Sequence, residues 1–313
     1  MATPKTLIEA IRYFSDLDAC QDYLVKHRWP NGVTCPRCES AALYYDATRR
    51  VWQCKAKHPR RQFTVKVGTI FEDSPIGLDK WLAATWLITN AKNGTSSYEI
   101  ARGLGVTQKT AWFMLQRIRL AMQDDGDGMF GGKVEVDETF IGGKARFMHR
   151  SKRAEKIKGT GGLGKVAVMG LLARHGADGH SVVRTKVVSN TRRATLAPEV
   201  RQNVAPGSEV FSDALKSYDD LDADYIHGVI DHAEKYVDGQ VHTNGIENYW
   251  SLLKRAIKGT YVSVEPFHLF RYLDEESFRY NNRETNDANR FEKVVNSIVG
   301  KRLTYKELIG EVP

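Results

Sequence analysis

No apolar run in this 313-residue sequence approaches the length of a membrane span, and its first ten residues lack the apolar segment of a signal peptide. A cytoplasmic protein is therefore expected. Cysteine is scarce: there are four, three of them clustered, which fits metal binding better than a disulfide framework. Negative charge is in deficit. Against 46 Lys and Arg stand 38 Asp and Glu, a net charge of +8 with pI near 9.2, which points to a polyanionic partner. The rest is ordinary for a globular protein, with 42% hydrophobic and 27% charged residues and length enough for two or three domains.

Residues 5–28 carry helical periodicity (Leu7, Ile11, Phe14, Leu17, Tyr23, Leu24), with Asp16 or Asp18 as a start signal for a second helix and Cys20 as a small buried residue. Next come Cys35-Pro-Arg-Cys38 and, after a hairpin-like stretch, Cys54-Lys-Ala-Lys-His58. Two thiolates two residues apart grip one side of a tetrahedral zinc, and a second knuckle completes the shell. Ala42–Tyr45 and Val51–Gln53 read as the intervening strands. Lys57 occupies the position of a fourth cysteine, so His58 is the expected substitute and the site a Cys3His zinc ribbon.

Leu78, Trp81, Leu82, Thr85, Trp86 and Thr89 make an amphipathic helix after Ser74-Pro75. Ser96 to Arg119 reads as helix-turn-helix. Gly103 and Gly105 flank the turn, and Thr107 caps a second helix that exposes Gln108, Lys109 and Arg117 while burying Ala111, Met114, Leu115 and Ile118. A recognition helix would put its N-terminal residues on base edges, although such helix pairs also serve as plain packing units.

A Gly- and Asp-rich stretch, 123–132, marks a boundary, and strands follow. Lys133–Gly143, Lys165–Arg174 and Ser181–Ser189 read as three strands. A helix near 194–204, the strand 208–212 ending at Asp213, a helix near 215–221, the strand 225–230 and a final helix from His242 complete the order. A three-stranded meander leading into βαβ units matches an α/β, ribonuclease-H-like fold. Alternation puts Val134 and Val136 on one face of the first strand and Lys133, Glu135 and Asp137 on the other. An Asp amid valines opposes β-propensity. Asp213 ends a strand, where open α/β sheets bind ligands. Glu247 follows 34 residues later on the final helix, whose apolar stripe is Ile246, Tyr249 or Trp250, Leu253 and Ile257, with Glu247, Ser251, Lys254 and Lys258 beside it. Taken singly these acids read as a helix cap, a strand residue and a surface ion pair. Together they suit paired Mg2+ or Mn2+ ions in phosphoryl transfer.

With the ribbon, Gln62–Phe71, Val136-Asp-Glu-Thr-Phe-Ile-Gly-Gly143, Phe211-Ser-Asp213, His242–Arg255 and Phe278–Arg283, nearly the whole chain resembles a DDE-superfamily insertion-sequence transposase of the zinc-ribbon-bearing, ISXO-like bacterial type. The resemblance implies cutting of double-stranded DNA at inverted-repeat ends and joining of the freed 3'-ends to a target, by a homodimer or larger assembly. It makes Asp137 and Asp213 the first two metal ligands and Lys254 the basic residue after the third. For the third position both Asn244 and Glu247 stand; Glu247, the harder ligand and seven residues before Lys254, is favoured. The implied organisation is N-terminal helices (1–30), ribbon (31–66), helix-turn-helix region (67–125), catalytic domain (133–262) and C-terminal helices (263–313). Arg150, Lys152 and Arg153 in a basic loop, with Lys254, Arg255 and Lys258, are further candidate DNA contacts. His232 and His242 are within reach of phosphate or simply structural. The C-terminal aromatics Phe267, Phe270, Tyr272, Phe278 and Tyr280 read as core, and Asn281-Asn282-Arg283 as a stretch that could touch DNA. A DNA-binding regulator with an inactive second half, and a nuclease that does not join strands, are the competing readings.

Overall fold

The computed structural model describes residues 4–124, 126, 128–142, 164–175, 179–213, 216–218, 221–230 and 242–311. The chain forms two compact units, one of residues 1–123 with 284–313 and the other of residues 124–283.

The first unit opens with helices α1 (Leu7–Phe14) and α2 (Leu17–Arg28), the latter capped by Asp16, whose carboxylate accepts from the Asp18 amide. Only part of the expected stripe is buried. Phe14, Tyr23 and Leu24 are inside with Cys20, whereas Leu7, Ile11 and Leu17 are exposed. The ribbon follows as an antiparallel sheet of β1 (Leu43–Asp46), β2 (Val51–Cys54) and β3 (Gln62–Phe63). Trp52 and Phe63 are its small core, stacked at 5.7 Å, with Tyr45 and Trp29 flanking Trp52.

Helix α3 (Leu78–Asn90) begins at Gly77, with Ser74 instead accepting from the Trp81 indole. Helices α4 (Ser97–Leu104) and α5 (Gln108–Met122) follow, joined by a short turn. Ser96 and Glu99 make a reciprocal capping box, Thr107 caps α5, and Gly105 supplies the left-handed residue (φ +61°) that ends α4, so Gly103 lies inside the helix. From the far end of the sequence, α9 (Asp287–Asn296) returns to this unit. Its fully buried Phe291 lies 5.1–5.9 Å from the rings of Phe14, Tyr23 and Trp86. A short α10 (Tyr305–Leu308) completes the unit.

The second unit is a five-stranded mixed sheet in the order β6-β5-β4-β7-β8, where β4 is Lys133–Ile141, β5 Val166–Ala173, β6 Val182–Val188, β7 Glu209–Asp213 and β8 Ile226–Ile230. β4, β5 and β6 are an antiparallel meander, and β7 and β8 add in parallel to β4. On one face Val134, Val136, Met169, Leu171 and Val210 pack with Leu196 and Val200 of α6 (Arg193–Asn203). On the other, Val168, Leu172 and Val183 meet α7 (Asn244–Ala256) and α8 (Leu269–Asn281). Each fully buried aliphatic at these faces contributes about 1.5–3 kcal/mol. Among the described residues, two 3-10 turns (Lys216–Tyr218 and Leu221–Ala223) stand in place of the expected helix after Asp213.

One further expectation is corrected: Phe267 and Phe270 are exposed rather than core. Asn281 sits at the sheet edge, accepting from the Val183 amide at 2.8 Å and donating to its carbonyl at 2.9 Å, while the exposed Arg283 donates to the Ser181 and Tyr280 carbonyls.

Candidate active site and metal centre

The sheet register explains why two acids far apart in sequence meet. β4 and β7 run parallel with Val136 beside Ser212, so the next step places Asp137 beside Asp213 on the face opposite Val136. Helix α7 lies across that face. Its stripe of Ile246, Tyr249, Trp250 and Leu253 is buried, which turns Glu247, Ser251 and Lys254 toward the strand ends. Asp137, Glu138, Thr139, Asp213, Glu247, Trp250, Ser251 and Lys254 line an open cleft of about 380 Å³. Asn244 is exposed and does not line it.

The contacts of Asp137 hold it in one orientation. The Trp250 indole donates to Oδ2 at 2.9 Å and the Glu138 amide to Oδ1 at 2.8 Å. Gly170, directly across the ladder from Asp137, makes room for that indole: a Cβ there would stand 2.6 Å from the Trp250 ring. Burial pushes the Asp137 carboxyl up to about 6, and the neighbouring Asp213 and Glu247 charges add to the rise against the two hydrogen bonds. Glu138 is pushed further, to about 8, by burial and then by Asp137 and Asp213. Its Oε1 is buried with no hydrogen-bond partner. Glu247 accepts from the Thr243 hydroxyl at 3.0 Å. Burial lowers the Lys254 ammonium, opposed by the Asp137 charge. Crowded hard oxygens that resist ionisation together are suited to a hard divalent cation.

Behind the cleft lies an arrangement absent from the sequence reading. Glu135, two residues before Asp137 on the same face, is 1% exposed. It accepts from the Ile246 amide at 2.7 Å and from Arg174 Nε at 2.5 Å. Arg174 also donates to the His242 carbonyl and meets the His242 ring at 2.8 Å. His242 is thereby engaged at the base of α7.

The ribbon ligands are drawn more tightly. Cys35 Sγ is 3.5 Å from His58 Nε2 and Cys38 Sγ is 3.6 Å from Cys54 Sγ, and all four ligand atoms lie within 4.8 Å of one another. Tetrahedral zinc–sulfur bonds put two sulfurs roughly 3.8 Å apart, so the set fits zinc. The Pro59 carbonyl accepts from His58 Nδ1 at 2.7 Å, which leaves Nε2 as the ligating nitrogen. Burial opposes ionisation of Cys35, yet the backbone amides of Arg37 and Cys38 and the neighbouring thiols bring it down to about 7. Among the described residues, this is the one group of three or more Cys, His, Asp or Glu converging on a single point. The cleft acids are spread along a wall instead.

The candidate DNA contacts separate into four groups. Arg117 is corrected: it is 4% exposed and donates to the carbonyls of Ile70, Glu72 and Leu303, a structural strut. Gln108 donates to the Ser97 hydroxyl and Lys109 is exposed with its ammonium over the Tyr305 ring at 4.7 Å. Arg255 and Lys258 are exposed on the α7 side of the cleft unit. Arg150, Lys152, Arg153 and His232 lie outside the described residues.

Residues 129–281 match the ISXO2-like transposase domain, and residues 15–57 the transposase zinc-ribbon domain, which stops one residue short of His58. An uncharacterized protein in the transposable element ISH50 of Halobacterium salinarum is 30% identical over 256 residues, covering 78% of this chain and 84% of that protein. An uncharacterized transposase-like protein of Haemophilus influenzae is 37% identical over 103 residues, 33% of this chain and 83% of its own length. The chain belongs to the ISXO2-like transposase family. Among the described residues, no helix is long and apolar enough to cross a membrane.

Proposed function

We propose that this protein is a metal-dependent DNA transposase that cuts at the inverted-repeat ends of its element and joins the freed 3'-ends to target DNA. The observation that carries the reading is the cleft where Asp137, Asp213 and Glu247 stand with Lys254 beside them. The strand order, with its antiparallel meander and two parallel additions, supports a ribonuclease-H-like catalytic unit.

Asp137, Asp213 and Glu247 would hold Mg2+ or Mn2+, which supplies activation of the attacking oxygen and stabilisation of the leaving one. The chain's own residues do the remaining work. Trp250 and the Glu138 amide aim Asp137. Lys254, four residues beyond Trp250 on the same side of α7, offers its ammonium to a backbone phosphate. Arg255 and Lys258 extend that basic track. Glu247, rather than Asn244, is taken as the third ligand, a choice supported by its place in the cleft lining. The ribbon, held by zinc on Cys35, Cys38, Cys54 and His58, and the helix-turn-helix, with Gln108 and Lys109 at its second helix, bind the element ends as parts of at least a dimer.

The test is a strand-transfer assay with pre-cleaved element ends and Mg2+. Joining by the wild type, lost in Asp137→Ala and Asp213→Ala with end binding kept, supports the reading. Cleavage of uncut ends with no joining of pre-cleaved ones would make the protein a nuclease, and full activity in either variant would overturn the site.

A further inference from the structure

We infer that the buried Glu135–Arg174 pair is a clamp that docks the first turn of α7 on the sheet and so positions Glu247 against Asp137. The inference rests on the metal-site reading above and assigns work to two residues that touch neither metal nor DNA in it.

The geometry is that of a two-sided hold. Glu135 sits on the strand that carries Asp137, one same-face step away. One of its oxygens takes the Ile246 amide, a donor of the helix's first turn with no partner inside the helix; the other takes Arg174 Nε. A carboxylate at a helix N-terminus also gains from the helix dipole. Arg174, one residue past the end of β5, spans from Glu135 to the carbonyl and ring of His242 and lies over the Phe211 ring at 4.5 Å. Strand β4, strand β5, strand β7 and the entry to α7 are thereby joined through one guanidinium. Gly245 is part of the fit, since a Cβ there would lie 2.9 Å from both Glu135 oxygens. The residue after Ile246 is Glu247, so the hydrogen bond that docks the turn sits one residue from the ligand it positions.

A pair that only stabilised the fold would change metal binding through unfolding alone. A positioning pair changes it in the folded protein. The experiment is Mn2+ titration followed by electron paramagnetic resonance on the zinc-loaded, full-length chain, with Asp137→Ala as the background, alongside amide hydrogen exchange. Glu135→Gln keeps an acceptor for Ile246 and loses the charge; Arg174→Lys keeps the charge and loses the fork. Both are expected to weaken Mn2+ at the cleft by about tenfold at a temperature where the protein is folded. Exchange should quicken at residues 244–250 while the β5 amides stay protected. Mn2+ affinity within twofold of wild type together with unchanged exchange would overturn the clamp. If Glu135→Gln does not fold, Arg174→Lys alone decides. If the wild type shows no Mn2+ signal that Asp137→Ala removes, the metal-site reading fails, and exchange at 244–250 then upholds or overturns the docking role by itself.

Discussion

The ribbon and the cleft arrange their thiol, imidazole and carboxylate side chains in opposite ways. In the ribbon, four soft or borderline ligands converge within 4.8 Å, beside strands of four, four and two residues whose core is Trp52, Phe63 and Val65. In the cleft, hard carboxylates stand on a five-stranded sheet and a helix with buried layers on both faces, and they do not converge to a point. On the proposed reading zinc would supply much of the ribbon's folding free energy, because a core of Trp52, Phe63 and Val65 is small. On the proposed reading the cleft's metal would serve chemistry, because a sheet and helix with buried layers on both faces already hold the acids in place.

That contrast is broken most severely by removing the acids. Asp137→Ala and Asp213→Ala should lower strand cleavage at least a thousandfold, while thermal unfolding of the second unit is unchanged or shifts upward, since a buried carboxylate is lost; a matching fall in stability and activity would say the acids are structural. Next comes Cys38→Ser or strong chelation. Either should abolish ribbon folding and DNA-end binding, monitored by nuclear magnetic resonance of the ribbon strands, and leave the second unit's melting in place. Gly170→Ala should cost about 1–3 kcal/mol through overpacking on Trp250, and weaken Mn2+ as the indole leaves Asp137, with no effect on zinc content.

These differences follow from which partners a sequence can display. The strand alternation that put Asp137 opposite the valines, the strand-end position of Asp213 and the α7 stripe were all legible, because each is a periodicity within one element. So were the Thr107 cap and the cysteine knuckles. Arg117 was not legible: its carbonyl acceptors come from loops 47, 45 and 186 residues away, so a helical wheel showed only a cation on a polar face. Glu135 shared the face of Asp137 in plain view, but its partners lie 39 and 111 residues distant. Glu138 was hidden by its neighbour, since an acid beside Asp137 should point away in an ideal strand and here lines the same cleft. Gly170 within a run of apolar residues was a usable signal, as a strand glycine marks a close approach. Phe267 and Phe270 misled because aromatics at helical spacing read as core wherever they occur.

Smaller effects sharpen the comparison further. On the metal-site reading a cation displaces the proton of Asp137, whose carboxyl is pushed up to about 6, so Mn2+ affinity at the cleft should rise from pH ~5 to ~7, with protons released on binding. A flat profile would show that Asp137 takes no part. Arg117→Ala should lower the stability of the first unit by about 1–3 kcal/mol by orphaning carbonyls, yet leave the salt dependence of DNA binding unchanged; a slope reduced by about one would restore it as a phosphate contact. Asn244→Ala should be nearly silent in Mg2+ dependence, in contrast to Glu247→Gln.

The most direct measurement is Mg2+-dependent cleavage of element-end DNA by the wild type and by Glu247→Gln, at matched end occupancy. A cleft whose third carboxylate is Glu247 predicts a loss of at least a hundredfold that is partly recovered by raising Mg2+ or substituting Mn2+. Cleavage at the wild-type rate, with an unshifted Mg2+ midpoint, would contradict it.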